Sequence, residues 1–227
     1  MGDPFNGLGT ISHTIKDLDA VIISVDYRLA PDFADLALVE DCYAALCWVG
    51  DHLDHLGIDG DRLMVAGLSA GGGLAAGTAL MARDRGKPKL CAQLLSGPML
   101  DDRNETVSAQ QCVDLDNGSY DTTQNRKAWG FVLGDRAGGA DVSCYVSPGR
   151  ATDLSRLPPA FIDAGSVEPF RDEAVLYAMK MWEGGSQADL HIWGGGCHGF
   201  ENATETEITK AAARVRSEWL RKMLALK

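Results

Sequence analysis

The chain has 227 residues, 45% of them hydrophobic, which is enough to bury one sizeable core, so one domain over residues 1–227 is expected. Its formal net charge of −11 argues against a general role on nucleic acid or on an anionic membrane surface, since both need a basic face. Six scattered cysteines without a C-x-x-C pair point to reduced thiols and a cytoplasmic location rather than a disulfide scaffold, no signal peptide is read at the N-terminus, and no apolar run is long enough to span a bilayer.

Residues 1–14 are polar and glycine-rich and read as loop. Residues 20–25 form a β-branched run, the pattern of a strand buried on both faces, and Pro31 bars its continuation. Leu38, Cys42, Leu46, Val49 and Leu53 then recur at helical spacing, in a helix expected to end near Gly57. A second strand over 63–66 leads into a helix that starts after Ser69 and is stopped by Gly86-Lys87-Pro88. A third strand covers 90–95. Residues 99–157 are polar and turn-rich, with one helix around 123–133, and read as an insertion lying over the sheet. Pro158-Pro159 introduces a strand at 160–164, a helix at about 171–182, a strand at 188–193 and a last amphipathic helix carrying Ile208, Ala212, Val215, Trp219 and Met223. Strands alternating with helices predict an α/β fold, a mainly parallel sheet with helices on both faces.

One stretch concentrates the chemistry. Gly67-Leu68-Ser69-Ala70-Gly71 is G-x-S-x-G between an apolar strand and a small-residue helix, the nucleophile elbow. A serine hydroxyl is a weak nucleophile, so it must protrude from a sharp turn to meet a base and a carbonyl. Of the five histidines, His13 falls in the N-terminal loop and His191 inside a strand, as a packed or edge side chain. His52 and His55 have H-x-x-H spacing, but Asp51 and Asp54 beside them favour a solvated helix face over a zinc site. His198 follows the last strand, in a glycine-rich segment expected to be a flexible loop at the sheet edge where α/β active sites lie, and is the best base. The orienting acid should leave the preceding strand at the same edge. Asp163 lies within that strand, Glu168 a few residues past it, and Asp172 opens the following helix, where a cap or first-turn role is the stronger reading. With Glu168 the chain order is Ser69, Glu168, His198, the α/β-hydrolase order.

Four motifs in order, Val25-Asp26-Tyr27-Arg28-Leu29-Ala30-Pro31, Gly67-Leu68-Ser69-Ala70-Gly71-Gly72, Glu168-Pro169-Phe170-Arg171-Asp172-Glu173 and His198-Gly199-Phe200, resemble the hormone-sensitive-lipase family of α/β-hydrolases. The resemblance covers nearly the whole chain from about residue 15. It implies a carboxylesterase acting on short acyl esters, with Ser69 as nucleophile, Glu168 in place of the usual Asp, His198 as base, and residues 99–157 as part of a cap that shapes the pocket. No cofactor or metal is implied. The partner is a small-molecule ester, and a homodimer is left open.

The sequence departs from the family in one respect. The family's His-Gly-Gly-Gly segment, whose N–H groups supply most of the oxyanion hole, is absent, leaving the Ala70 N–H as donor. Three readings follow: an active serine esterase, a weak or inactive binding protein on the same scaffold, or part of a longer esterase whose start lies upstream of Met1. The central strand that precedes the missing segment in the family is expected to be replaced, either by a parallel ladder between residues 20–26 and 62–67 or by a strand from a second copy.

Overall fold

The structure, a computed structural model, describes residues 3–5, 7–16, 18–116, 118–203 and 205–225. Among these residues the sheet has four strands: β1 (Met64–Leu68), β2 (Ala92–Ser96), β3 (Ala160–Val167) and β4 (Ala188–Cys197). They lie side by side in chain order and every pair is parallel, with Gly67 opposite Leu95 and Leu95 opposite Ile162. Parallel neighbours need crossovers, supplied here by helices. The helices are α1 (Leu8–Thr14), α2 (Leu36–Asp51), α3 (Leu53–Leu56), α4 (Ala70–Arg85), α5 (Val107–Gln111), α6 (Thr122–Leu133), α7 (Arg171–Glu183) and α8 (Glu207–Leu224).

Side chains alternate across each strand, so adjacent residues feed opposite faces. Leu95 and Ile162 pack with Leu80 of α4 and with Tyr177 and Met181 of α7. Their neighbours Leu94 and Phe161 pack on the other face with Trp219 and Leu220 of α8, where Ile11 of α1 joins them. A third cluster joins Val39 and Tyr43 of α2 to Met81 of α4 and to Trp129 of α6. The α/β expectation, a parallel sheet with helices on both faces, is borne out.

Several local expectations are corrected. Residues 8–14 are helical rather than loop, with Gly7 in the left-handed conformation as N-cap, and His13 lies in that helix. The predicted helix ending near Gly57 is split into α2 and α3 at His52, and Gly57 closes it at φ +66°. Residues 20–29 join no ladder, β1 pairs only with β2, and the expected pairing of 20–26 with 62–67 is not formed. The β-branched run lacks a packed neighbour on its pleat, and without one its strand propensity has nothing to act on. Val21 is 66% and Ile23 41% exposed. This segment is held by Ser24, whose hydroxyl donates to the Pro4 carbonyl, and by Arg28, whose backbone N–H and guanidinium donate to the Asp41 carboxylate of α2 at 2.7–3.0 Å. The glycines at 194–196 belong to β4 rather than to a loop. A Cβ on Gly165 of β3 would stand 2.2 Å from the Gly196 carbonyl oxygen, so bare backbone is what allows the two strands to close there.

The segment 99–157 is fastened to the rest by the Glu168–Glu173 motif. Asp172 accepts the Ser108 N–H at 2.7 Å, and the Ser108 hydroxyl donates to the Pro169 carbonyl at 2.8 Å. Glu173 accepts the Leu100 N–H at 2.9 Å. Within the segment, buried Asp102 pairs with Arg150 and accepts the Gly138 N–H at 2.6 Å. Burial would raise the Asp102 carboxyl, but these partners outweigh it and hold it below the usual carboxylate range.

Candidate active site

Four residues stand immediately after the four strands at the C-terminal edge of the sheet: Ser69 after β1, Gly97 after β2, Glu168 after β3 and His198 after β4. That edge is where open α/β sheets collect ligands. Residues separated by more than a hundred positions are gathered there because each strand ends at the same level.

Ser69 turns the chain from β1 into α4 at φ +56°, ψ −121°. The turn is tight enough that a Cβ on Gly67 would fall 2.0 Å from the Gly71 carbonyl oxygen, so only glycine fits. Gly71 itself has open space around it; the close approaches after the serine are at Gly72, against Pro98, and at Gly73, against the Met99 carbonyl. The turn is locked from three sides. The Ser69 N–H donates to the Ser96 carbonyl at 2.9 Å, and the Ser69 carbonyl accepts the N–H groups of Gly72 and Met99 at 2.9 and 3.0 Å. Ala70 is the first residue of α4, where a backbone N–H has no intrahelical acceptor.

The His198 imidazole bridges the serine and the acid. Its Nε2 is 2.9 Å from Ser69 Oγ, and its Nδ1 is hydrogen-bonded to Glu168 Oε2. The other carboxylate oxygen, Glu168 Oε1, accepts the Gly165 N–H, so both oxygens are engaged and the plane of the acid is fixed. The His198 side chain is 14% exposed and that of Glu168 only 2%. The two rival acids are engaged elsewhere. Asp163 is fully buried, paired with Arg216 of α8 at 2.7 Å, and accepts the Trp193 indole N–H at 2.9 Å. Asp172 holds Ser108 and Arg171.

The remaining histidines are placed differently. His191 stacks between Phe161 and Trp193, at 5.0 and 5.6 Å. His52 stacks on Trp48 at 4.4 Å with Nδ1 2.7 Å from its carbonyl, and His55 lies exposed on α3. Among the described residues no group of three His, Cys, Asp or Glu is disposed to hold a metal.

Three neighbours of His198 had no assigned role in the sequence reading. Gly97, at φ +48°, lies so close that a Cβ there would stand 3.2 Å from His198 Cε1 and 3.4 Å from Glu168 Oε2. Phe170 presents an edge-on ring 4.9 Å from the imidazole, and Tyr120, from the insertion, a tilted ring at 5.2 Å. A glycine directly after a strand was a usable signal for the first. Nothing in the local sequence marks Tyr120.

A family model described as alpha/beta hydrolase fold matches residues 1–202. The chain belongs to the α/β-hydrolase family. Among the relatives of this hydrolase, the esterase LipI of Mycobacterium tuberculosis is 36% identical over 194 residues, covering 84% of the chain and 59% of the relative. Carboxylesterase NlhH of the same species is 38% identical over 184 residues, covering 81% and 57%. A solved structure titled bacterial heroin esterase superposes with a TM-score of 0.94 at 36% identity, covering the whole chain and 72% of that protein. The chain thus spans less than two thirds of the curated relatives it matches. The resemblance drawn from its motifs is borne out by this hydrolase membership and these esterase relatives.

Proposed function

We propose that this chain carries the catalytic centre of a carboxylesterase-type serine hydrolase that cleaves short acyl esters through an acyl-enzyme on Ser69. The observation that carries the reading is the single imidazole with Nε2 on the Ser69 hydroxyl and Nδ1 on a buried carboxylate. In that arrangement Ser69 Oγ attacks the ester carbonyl carbon while its proton passes to His198 Nε2. The bond to the alcohol oxygen breaks, and Nε2 returns the proton to the departing alcohol. Water then attacks the acyl-serine with the same proton relay, freeing the acid and Ser69. Glu168 orients the ring and stabilises the imidazolium.

Charge developing on the carbonyl oxygen is met by the Ala70 N–H at the start of α4. One oxyanion donor is typically worth about 10²–10³ in turnover, so a chain relying on this donor alone favours aryl esters, whose leaving groups need less help. The insertion over 99–157 acts as part of the cap. The partner is a small-molecule ester, as for the esterase relatives, and the six free thiols fit the cytoplasm. Among the described residues no helix is long and apolar enough to cross a membrane.

The test is hydrolysis of p-nitrophenyl acetate. The wild-type chain should turn it over, and Ser69→Ala should reduce turnover to the buffer rate. Activity should also fall on acidification, because a protonated imidazole cannot accept the serine proton. Equal turnover by wild type and Ser69→Ala would remove the serine mechanism. A wild type at the buffer rate would favour the other two readings, a binding protein on this scaffold or part of a longer esterase.

A further inference from the structure

The two hydrogen bonds of His198 lie in the plane of its ring. They fix where the nitrogens point within that plane but resist tilting out of it only weakly. Resistance to tilt comes from what packs around the ring, and three groups do so. Gly97 closes one side with bare backbone. Phe170, at the head of α7, meets the imidazole edge-on at 80°. Tyr120 lies 5.2 Å from it at 45° and also touches Phe170, at 5.7 Å between centroids. Of the three, only Tyr120 comes from the insertion.

We propose that Tyr120 is a positioning residue for the catalytic base. Its ring, braced by Phe170, holds the His198 imidazole in the plane that joins Ser69 Oγ to Glu168, and the insertion thereby sets the competence of the triad. This rests on the reading of Ser69, His198 and Glu168 as that triad.

The tyrosine is suited to the task because its far end is tied down. Its hydroxyl donates to Asn125 Oδ1 at 3.3 Å. Asn125, buried in α6, donates in turn to Asn104 Oδ1 at 2.7 Å, and Asn104 donates to the Asp102 carbonyl at 2.9 Å. Asp102 is the buried carboxylate paired with Arg150. The ring therefore hangs between the imidazole and a polar chain that crosses the insertion. Burial pushes the phenol up to about 12, so Tyr120 stays neutral across the working range and adds no charge beside the base. With the hydroxyl engaged by Asn125, the ring is what remains to act on His198.

The test compares Tyr120→Phe, which keeps the ring, with Tyr120→Leu and Tyr120→Ala, which remove it. Two readouts are taken on the intact chain: the low-field proton resonance of the His198 Nδ1–H bound to Glu168, and the rate at which a fluorophosphonate labels Ser69. Tyr120→Phe should keep the resonance and label within about twofold of wild type. Tyr120→Leu and Tyr120→Ala should lose or broaden the resonance and label about ten- to a hundredfold more slowly, as expected when a reacting group is misplaced by a fraction of an ångström. If Tyr120→Ala does not fold, Tyr120→Leu, closer in volume to the native ring, carries the comparison. A Tyr120→Leu variant with a lowered melting temperature but an unchanged resonance and labelling rate would mean a purely structural role and would overturn the proposal. Absence of the resonance in wild type would overturn it too. A wild type that shows the resonance yet takes no label on Ser69 contradicts the hydrolase reading instead, so the two failures are told apart.

Discussion

Ser69 occupies a backbone conformation that costs about 1–3 kcal/mol for a residue with a Cβ, and it persists because its N–H and carbonyl are both held by neighbouring backbone. The strain aims the hydroxyl out of the sheet edge toward His198. Gly97 performs the complementary service of leaving room. Gly97→Ala would place a methyl group 3.2–3.4 Å from the imidazole and the Glu168 carboxylate, at a φ that disfavours alanine. The expected result is a fall in kcat/KM of about ten- to a hundredfold from displacement of the base. The left-handed backbone adds about 1–2 kcal/mol of destabilisation, which for a domain of this size lowers the melting temperature by roughly 2–8 °C. Steady-state kinetics beside a thermal melt separates the two effects. A variant that melts lower with unchanged kcat/KM would show that the methyl group is accommodated without moving His198.

Helix α4 was legible from the elbow before it and the Gly86-Lys87-Pro88 stop after it, α7 and the first part of β4 from their position after β3, and the parallel sheet from the alternation of strand and helix. The segments that were not legible share one cause. Residues 20–25 have strand composition, but a strand is made by its neighbours; the sequence showed that the family's neighbouring strand is absent, not that the run would stay unpaired instead of closing onto 62–67. The glycines at 194–196 looked like loop because the close approach of Gly165 that favours them lies thirty residues away. Ser69, His198 and Glu168 were singled out from motif and position, whereas the Arg216 of α8 that occupies the rival Asp163 is a partner no local pattern announces. At the same scale, Glu173 opens α7 with its carboxyl buried against the Leu100 N–H. Burial pushes that carboxyl well above its usual range, against the pull of the hydrogen bond. The unfolded carboxyl ionises in the ordinary range while the folded one keeps its proton, so stability falls as pH rises above that range. Glu173→Gln should therefore melt close to wild type at about pH 4 and progressively above it toward about pH 8. Parallel melting curves for the two proteins across that range would contradict the assignment.

At the scale of the whole molecule, the sheet of the described residues has two inner strands, β2 and β3, and two edges, β1 and β4. β2 lies between β1 and β3, and its residues are buried throughout, while β1 has a strand partner on one edge only and residues 20–29 join no ladder. Hydrogen exchange should reflect this. Amides of residues 21–27 should exchange at close to free-chain rates and those of β2 at rates set by global unfolding. Protection of 21–27 comparable to β2 would mean that the segment pairs after all, within the chain or with a second copy. The proposed active centre sits at the C-terminal end of the sheet, with Ser69 following the edge strand β1. The most direct measurement of its competence is fluorophosphonate labelling of the intact chain followed by peptide mass spectrometry. A single adduct is expected on Ser69, lost in Ser69→Ala and strongly reduced in His198→Ala. No adduct on the wild-type chain, or one that persists in Ser69→Ala, would contradict the serine-hydrolase reading.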